Sequence, residues 1–164
     1  AHRETGCPIT THTRAQGRTG LLQQQVFRSA GVDLTRTVIG HCGDTDDMDY
    51  LHELIDGGSM LGMDRFGLDG FLSHERRVDV VARLCAEGYS DRLVLSHDAG
   101  CYMDVIDGED ATDVLGEKTN WHYQFIIKQV VPDLLAAGVT RSQVDDMLVH
   151  NPRRFLESAC KGGY

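Results

Sequence analysis

Residues 37–41 read Thr37-Val38-Ile39-Gly40-His41, a short run of β-branched and aliphatic residues that stops on a histidine. An apolar run of this length without alternation suits a strand covered on both faces, as in a parallel sheet. Three more segments of the same kind flank it. Pro8-Ile9-Thr10-Thr11 closes on His12, Ser59-Met60-Leu61-Gly62-Met63 closes on Asp64 and Arg65, and Arg92-Leu93-Val94-Leu95-Ser96 closes on His97 and Asp98. Successive strand ends lie about one βα unit apart.

Helical patterns fill the intervals. Met48, Leu51 and Ile55 fall at helical spacing ahead of Gly57-Gly58, and Val78, Val81, Ala82 and Cys85 form a stripe ended by Gly88. Tyr123, Ile127, Val130, Val131 and Leu134 form another, ended by Gly138, and a weaker helix runs from about Arg18 to Gly31. Thr140 with Gln143 predicts a capping box before Val144, Met147 and Leu148. Asn151-Pro152 predicts the N-cap and first-turn proline of a last short helix. The order βαβαβαβα requires an α/β fold with a parallel sheet and right-handed crossovers, in a single domain of four βα units over 1–164. The stretch from Cys101 to about Asn120 is acidic and too long for an ordinary βα connection, which predicts a lid or a mobile loop.

Composition narrows the partners. A formal net charge of -9 argues against a nucleic-acid partner, because phosphate backbones attract basic surfaces. No apolar run is long enough to span a bilayer and no signal peptide is visible, so no membrane is expected. Cys7, Cys42, Cys85, Cys101 and Cys160 are odd in number, widely spaced and without C-x-x-C, which predicts reduced thiols in a cytoplasm.

In parallel α/β folds the active site lies at the carboxyl ends of the strands. Here each candidate strand ends on a metal-capable or charged residue: His12, His41, Arg65 and Asp98. A lone histidine after a strand is usually only hydrogen-bonded, but four such residues at one topological position point to a shared site. Two imidazoles and a carboxylate suit zinc, cobalt, manganese or iron. Asp44, Asp64 and Arg65 are candidates for a supporting shell, with Arg65 holding carboxylates on either side. Asp44 has a second reading as the cap of the following helix, in competition with Thr45. His97 is expected to point away from Asp98 and to be structural, while His52, His74, His122 and His150 within helical patterns read as structural or surface residues. Phosphate-binding glycine loops and the G-x-S-x-G elbow are absent. The acids Asp104, Asp107, Glu109, Asp110 and Asp113 lack EF-hand spacing and read as a solvated loop.

Together PITTHT, VIGHCGDTDD, GMDRFGLDGF and LVLSHDAG, with NPRRFL near the end, resemble strands five to eight of the phosphotriesterase family, especially its lactonase branch. The resemblance implies the C-terminal half of a TIM (β/α)8 barrel of the amidohydrolase superfamily of metal-dependent hydrolases. Two divalent metals, zinc by expectation with cobalt, manganese or iron as alternatives, are then bridged by a hydroxide that attacks the substrate. His12 and His41 would bind one ion, while Asp98 would ligate the other and take up a proton. Arg65 stands where phosphotriesterases proper carry histidine, and Asp44, Arg65 and Asp98 match the family's proton-relay trio. Arg65 and Trp121 would line the substrate pocket. The implied substrates are lactones, acylated homoserine lactones among them, with slow hydrolysis of organophosphate triesters, and the full-length form would be a homodimer. The alternative reading is a non-catalytic half-barrel that self-associates or only binds metal.

The family's first-strand H-x-H and its bridging lysine are not in this chain, and Lys118, Lys128 and Lys161 fall in the wrong places to substitute. The resemblance therefore predicts both features in a segment upstream of Ala1. Sequencing the gene upstream tests this, and a preceding coding segment with neither feature would remove the two-metal assignment.

Overall fold

In the computed structural model, which describes residues 1–100 and 120–157, the four apolar segments are the strands β1 (Ile9–Thr11), β2 (Thr37–Ile39), β3 (Met60–Met63) and β4 (Leu93–Leu95). They pair in parallel in the order β1-β2-β3-β4. Register places Thr11 beside Ile39, Ile39 beside Leu61 and Leu61 beside Leu93. Ile39, Leu61 and Leu93 have no accessible surface and form the sheet's side of the core. Every residue of β2 and β3 is buried, whereas none in β1 is. The continuous apolar reading thus fits the inner strands, and β1 is an edge.

The helices are α1 (His2–Thr5), α2 (Thr19–Ser29), α3 (Met48–Asp56), α4 (His74–Ala86), α5 (Val131–Ala136), α6 (Arg141–Asp145) and α7 (Asn151–Glu157). Leu51 and Leu54 of α3, Val80, Val81 and Leu84 of α4, and Leu134 of α5 complete the core. Gly58, at φ 106, turns the chain from α3 into β3, a conformation that glycine adopts without strain. The Thr140–Gln143 capping box forms as expected. Among the described residues no helix is long and apolar enough to cross a membrane. Cys42 and Cys85 are buried free thiols, and burial pushes the Cys85 thiol up to about 11.

Three expectations need correction. Of the stripe Tyr123, Ile127, Val130, Val131 and Leu134, the last three face the core, but Tyr123 and Ile127 are exposed and Phe125 and Ile126 are buried in their place. Residues Ile126–Val130 form a π-turn, which inserts one residue and rotates the preceding segment relative to a 3.6-residue period. Asn151 is not an N-cap. It has helical dihedrals and is buried, and a second π-turn, Asp146–His150, runs directly into α7. Its side-chain amide donates instead to the carbonyls of Ser90 (2.8 Å) and Leu93 (2.7 Å), tying the last helix to β4. The cap of α3 is neither Asp44 nor Thr45 but Asp47, whose carboxylate accepts from the Tyr50 amide. The predicted lid segment lies almost wholly outside the described residues, as do its five acids, Lys118, Lys161, Cys101 and Cys160.

Beside β1 a cavity of about 890 Å³ is lined in part by Ile9, Val26, Phe27, Ala30 and Val32. Leu22 and Val26, four residues apart on one face of α2, are 61% and 62% exposed. An unpaired strand edge next to apolar surface favours association. The 164-residue chain should therefore self-associate, and Leu22→Gln with Val26→Gln should shift it toward monomer without loss of thermal stability. Light scattering over a range of concentrations checks this, and a monomer throughout would contradict it.

Candidate active site

His12, His41, Arg65 and Asp98 each follow the carboxyl end of their strand within three residues, and all four come together. Nε2 of His41 lies 2.8 Å from Nδ1 of His12, with the rings edge to face. On its other side, His41 Nδ1 is 3.0 Å from Asp64 Oδ1, and the His41 backbone amide donates to Asp64 Oδ2 at 2.9 Å. One carboxylate therefore grips both the ring and the main chain. With the His41 Nδ1 proton committed to Asp64, its Nε2 lone pair is left facing His12, the arrangement that orients a ligating imidazole. Burial, then the neighbouring His41 and Arg65, lower the pKa of His12 against the opposing pull of Asp98 and Asp64. This favours the neutral ring, which is the metal-binding form.

The donor set can be tested against a metal ion. A tetrahedral ion with bonds of about 2.0–2.1 Å holds two nitrogens roughly 3.3 Å apart. The converging pair at 2.8 Å needs only a small opening to accept one. Among the described residues, however, no group of three or more His, Cys, Asp or Glu is placed to hold an ion. The described residues thus converge two ring nitrogens, with Asp98 nearby, its Oδ2 3.9 Å from His41 Nδ1.

Arg65 links the acids, with one bond to each instead of a two-pronged one. Its NH1 donates to Asp44 Oδ2 at 2.8 Å and its Nε to Asp98 Oδ2 at 3.2 Å. Its guanidinium carbon sits 4.8 Å from the centre of the Phe71 ring. The indole N–H of Trp121 donates to the carbonyl of His97 at 2.7 Å, at the end of β4. Gly67, at φ 96, packs against the backbone of Asn120 and Trp121 so closely that no Cβ would fit. His97 Nδ1 accepts from the Ala99 amide, and its ring lies against Tyr123.

One residue escaped the sequence reading. Arg77 of α4 is fully buried, and all five of its N–H groups find acceptors. Nε donates to Leu72 O, NH1 to Gly43 O and Asp64 O, and NH2 to Leu68 O and Asp44 Oδ1. Burial lowers its pKa, and Asp44 opposes that shift. The available signal was its spacing, since Arg77 falls in step with Val80, Val81 and Leu84 on the inward face of α4.

The backbone here is strained. His41 (φ 63), Arg65 (φ 61) and Asp98 (φ 54) are left-handed, and Arg18 is the other non-glycine residue with positive φ among those described. Each costs about 1–2 kcal/mol relative to the right-handed form. Such outliers gather where a side chain must be aimed.

Comparison with known proteins follows the same lines. The sequence profile of the Phosphotriesterase family matches residues 1–156. A phosphotriesterase homology protein of Mycobacterium tuberculosis is 52% identical over 164 residues, covering 100% of this chain and 49% of its own length. An aryldialkylphosphatase of Saccharolobus solfataricus is 38% identical over 158 residues, covering 95% of this chain and 49% of its own. The solved phosphotriesterase from M. tuberculosis superposes with a TM-score of 0.90 at 52% identity, over 100% of this chain and 49% of that one. A mutant of a Deinococcus radiodurans PTE-like lactonase does so at 0.80 and 37% identity, over 94% and 49%. The chain spans about half the length of the curated relatives it matches.

The positive φ of Arg65 makes a stability prediction. Arg65→Gly and Arg65→Ala both delete the ion pairs, but only glycine relieves the left-handed backbone. Arg65→Gly should be the more stable of the two by about 1 kcal/mol. Denaturant unfolding of the two variants measures the difference, and an equal or inverted order would show that the backbone carries no strain there.

Proposed function

The chain belongs to the phosphotriesterase family, and from that premise we propose that it supplies strands five to eight of a (β/α)8-barrel hydrolase that opens lactones at a two-metal site. The observation that carries this reading is the unbroken set of contacts joining His12, His41, Asp98, Arg65 and Asp44 at the ends of successive strands. His12 and His41 would hold one ion, with Asp64 fixing the His41 tautomer. Asp98 would ligate a second ion and is placed to take up the proton of the attacking water. Arg65 keeps the Asp98 carboxylate oriented and anchors it to the buried Asp44, while the half-exposed Asp98 would pass its proton to solvent. The metals, zinc ions in this reading, supply Lewis acidity toward the ester oxygen and make water acidic enough to react near neutral pH.

Lactones, acylated homoserine lactones among them, are the proposed substrates, with organophosphate triesters as slower ones. Both classes develop an oxyanion that bound cations stabilise. Arg65 and Trp121 form the proposed walls of the substrate pocket, since Trp121 is fixed at the end of β4 and packs beside the loop that begins at Arg65.

A self-associating half-barrel without catalysis is favoured by a different observation, the edge of β1 that no other described strand covers, with Leu22 and Val26 exposed on α2. Metal content and size in solution separate the two readings.

In an enzyme of the relatives' full length carrying this sequence, Arg65→Ala should lower lactone turnover by about 10- to 1000-fold, the scale of a general-base contribution. Metal content should change little. His12→Ala and His41→Ala should lose metal and turnover together. Turnover on one lactone with metal analysis of the three variants decides it. Full activity in Arg65→Ala, or metal loss equal to that of the histidine variants, would sink the relay role.

A further inference from the structure

The relay reading treats Arg65 as the residue that controls Asp98, but Arg65 itself is aimed by something else. Its side chain is held by the single oxygen Asp44 Oδ2, by Asp98, which is itself half exposed, and by the face of Phe71. Asp44 is therefore its firm attachment, and Asp44 is nearly fully buried. The other oxygen of Asp44 accepts from Arg77. We propose that Arg77 is a positioning residue, which fixes the Asp44 carboxylate from behind and so aims Arg65 at Asp98, while touching neither substrate nor metal.

The geometry permits little else. A carboxylate lying between two guanidinium groups, one on each oxygen, cannot rotate without breaking a charge-assisted bond. Arg77 cannot yield, because its other four N–H groups are committed to the carbonyls of Gly43, Asp64, Leu68 and Leu72. Those carbonyls belong to the loops after β2 and β3. The same cation therefore holds Asp64, whose carboxylate grips His41, and Asp44, whose carboxylate grips Arg65. Lysine would keep the charge with only three donors and no planar fork.

This inference rests on the proposed role of Arg65 only for its consequence in catalysis, so the first test does not use activity. In the 164-residue chain, the Arg65 Nε–H should give a hydrogen-bonded NMR signal, assigned by its loss in Arg65→Ala. Arg77→Lys should speed exchange of that proton by roughly tenfold, the scale of one lost bond to a charged group, with the amide signals of β1–β4 in place. Asp44→Asn should release Arg65 as well. Its single carbonyl oxygen is claimed by the buried Arg77, which leaves the amide N–H groups facing Arg65. If Arg77→Lys does not fold, Asp44→Asn still decides, because an Arg65 signal that stays protected in either variant overturns the proposal.

In an enzyme of the relatives' length, Arg77→Lys should lower kcat by about tenfold with KM nearly unchanged, within the 10²-fold that a misplacement of an ångström can cost. Arg65→Ala with Arg77→Lys should be no slower than Arg65→Ala alone, whereas losses that multiply would show that Arg77 acts by another route. Unchanged kcat in Arg65→Ala would remove the relay reading and leave the NMR result standing.

Discussion

A guanidinium removed from water is costly unless every donor is satisfied and its charge is met. Arg77 meets both conditions at the centre of this molecule, and it does so by recruiting carbonyls from two loops that are otherwise separate in sequence. The turn after β2 and the longer loop after β3 are thereby fastened to α4 as one body. Close approach is part of the arrangement: at Gly43 a Cβ would collide with the backbone of Asp64 and press on the Arg77 side chain. Residue 43 must be bare so that the cation can reach across it.

From that fixed point the site is built outward by adjacent residues that look in different directions. Asp64 and Arg65 are sequence neighbours, yet Asp64 turns to His41 while Arg65 turns to Asp44 and Asp98. A regular strand would point successive side chains to opposite faces of the sheet. The left-handed backbone at Arg65 ends the strand and redirects the chain, and the same device recurs at His41 and Asp98. Glycine would relieve each of these turns, but glycine carries no imidazole, guanidinium or carboxylate. The strain is accepted where the side chain is needed.

The strands and their terminal residues were legible because both faces of a parallel sheet select apolar residues, which makes the first polar residue after each run conspicuous. His12, His41, Arg65 and Asp98 were found that way, and the structure brings them together. Arg77 was not legible, because arginine in an amphipathic helix ordinarily marks the solvent face. Only its spacing with Val80, Val81 and Leu84 argued otherwise, and periodicity cannot reveal that carbonyls wait at that depth. The two π-turns were invisible for a related reason. A 3.6-residue period has no place for an inserted residue, so Ile127 was read as core in place of Ile126, and Asn151 as the start of a helix that it only continues. Asp44 looked equally able to cap α3 or to support the site, and Asp47, three residues on, took the cap and left Asp44 to the arginines.

The contacts of the site also follow the sheet laterally. His12 of the β1 end meets His41 of the β2 end, His41 meets Asp64 of the β3 end, and Arg65 meets Asp98 of the β4 end. Each link joins hydrogen-bonded neighbours in the order β1-β2-β3-β4. The described residues place no third ligand beside the His12–His41 pair, and Asp98 stands on the far side of His41 from His12 in strand order. Among the described residues β1 pairs only with β2, so a strand added in parallel along its other edge would bring its own carboxyl end beside His12.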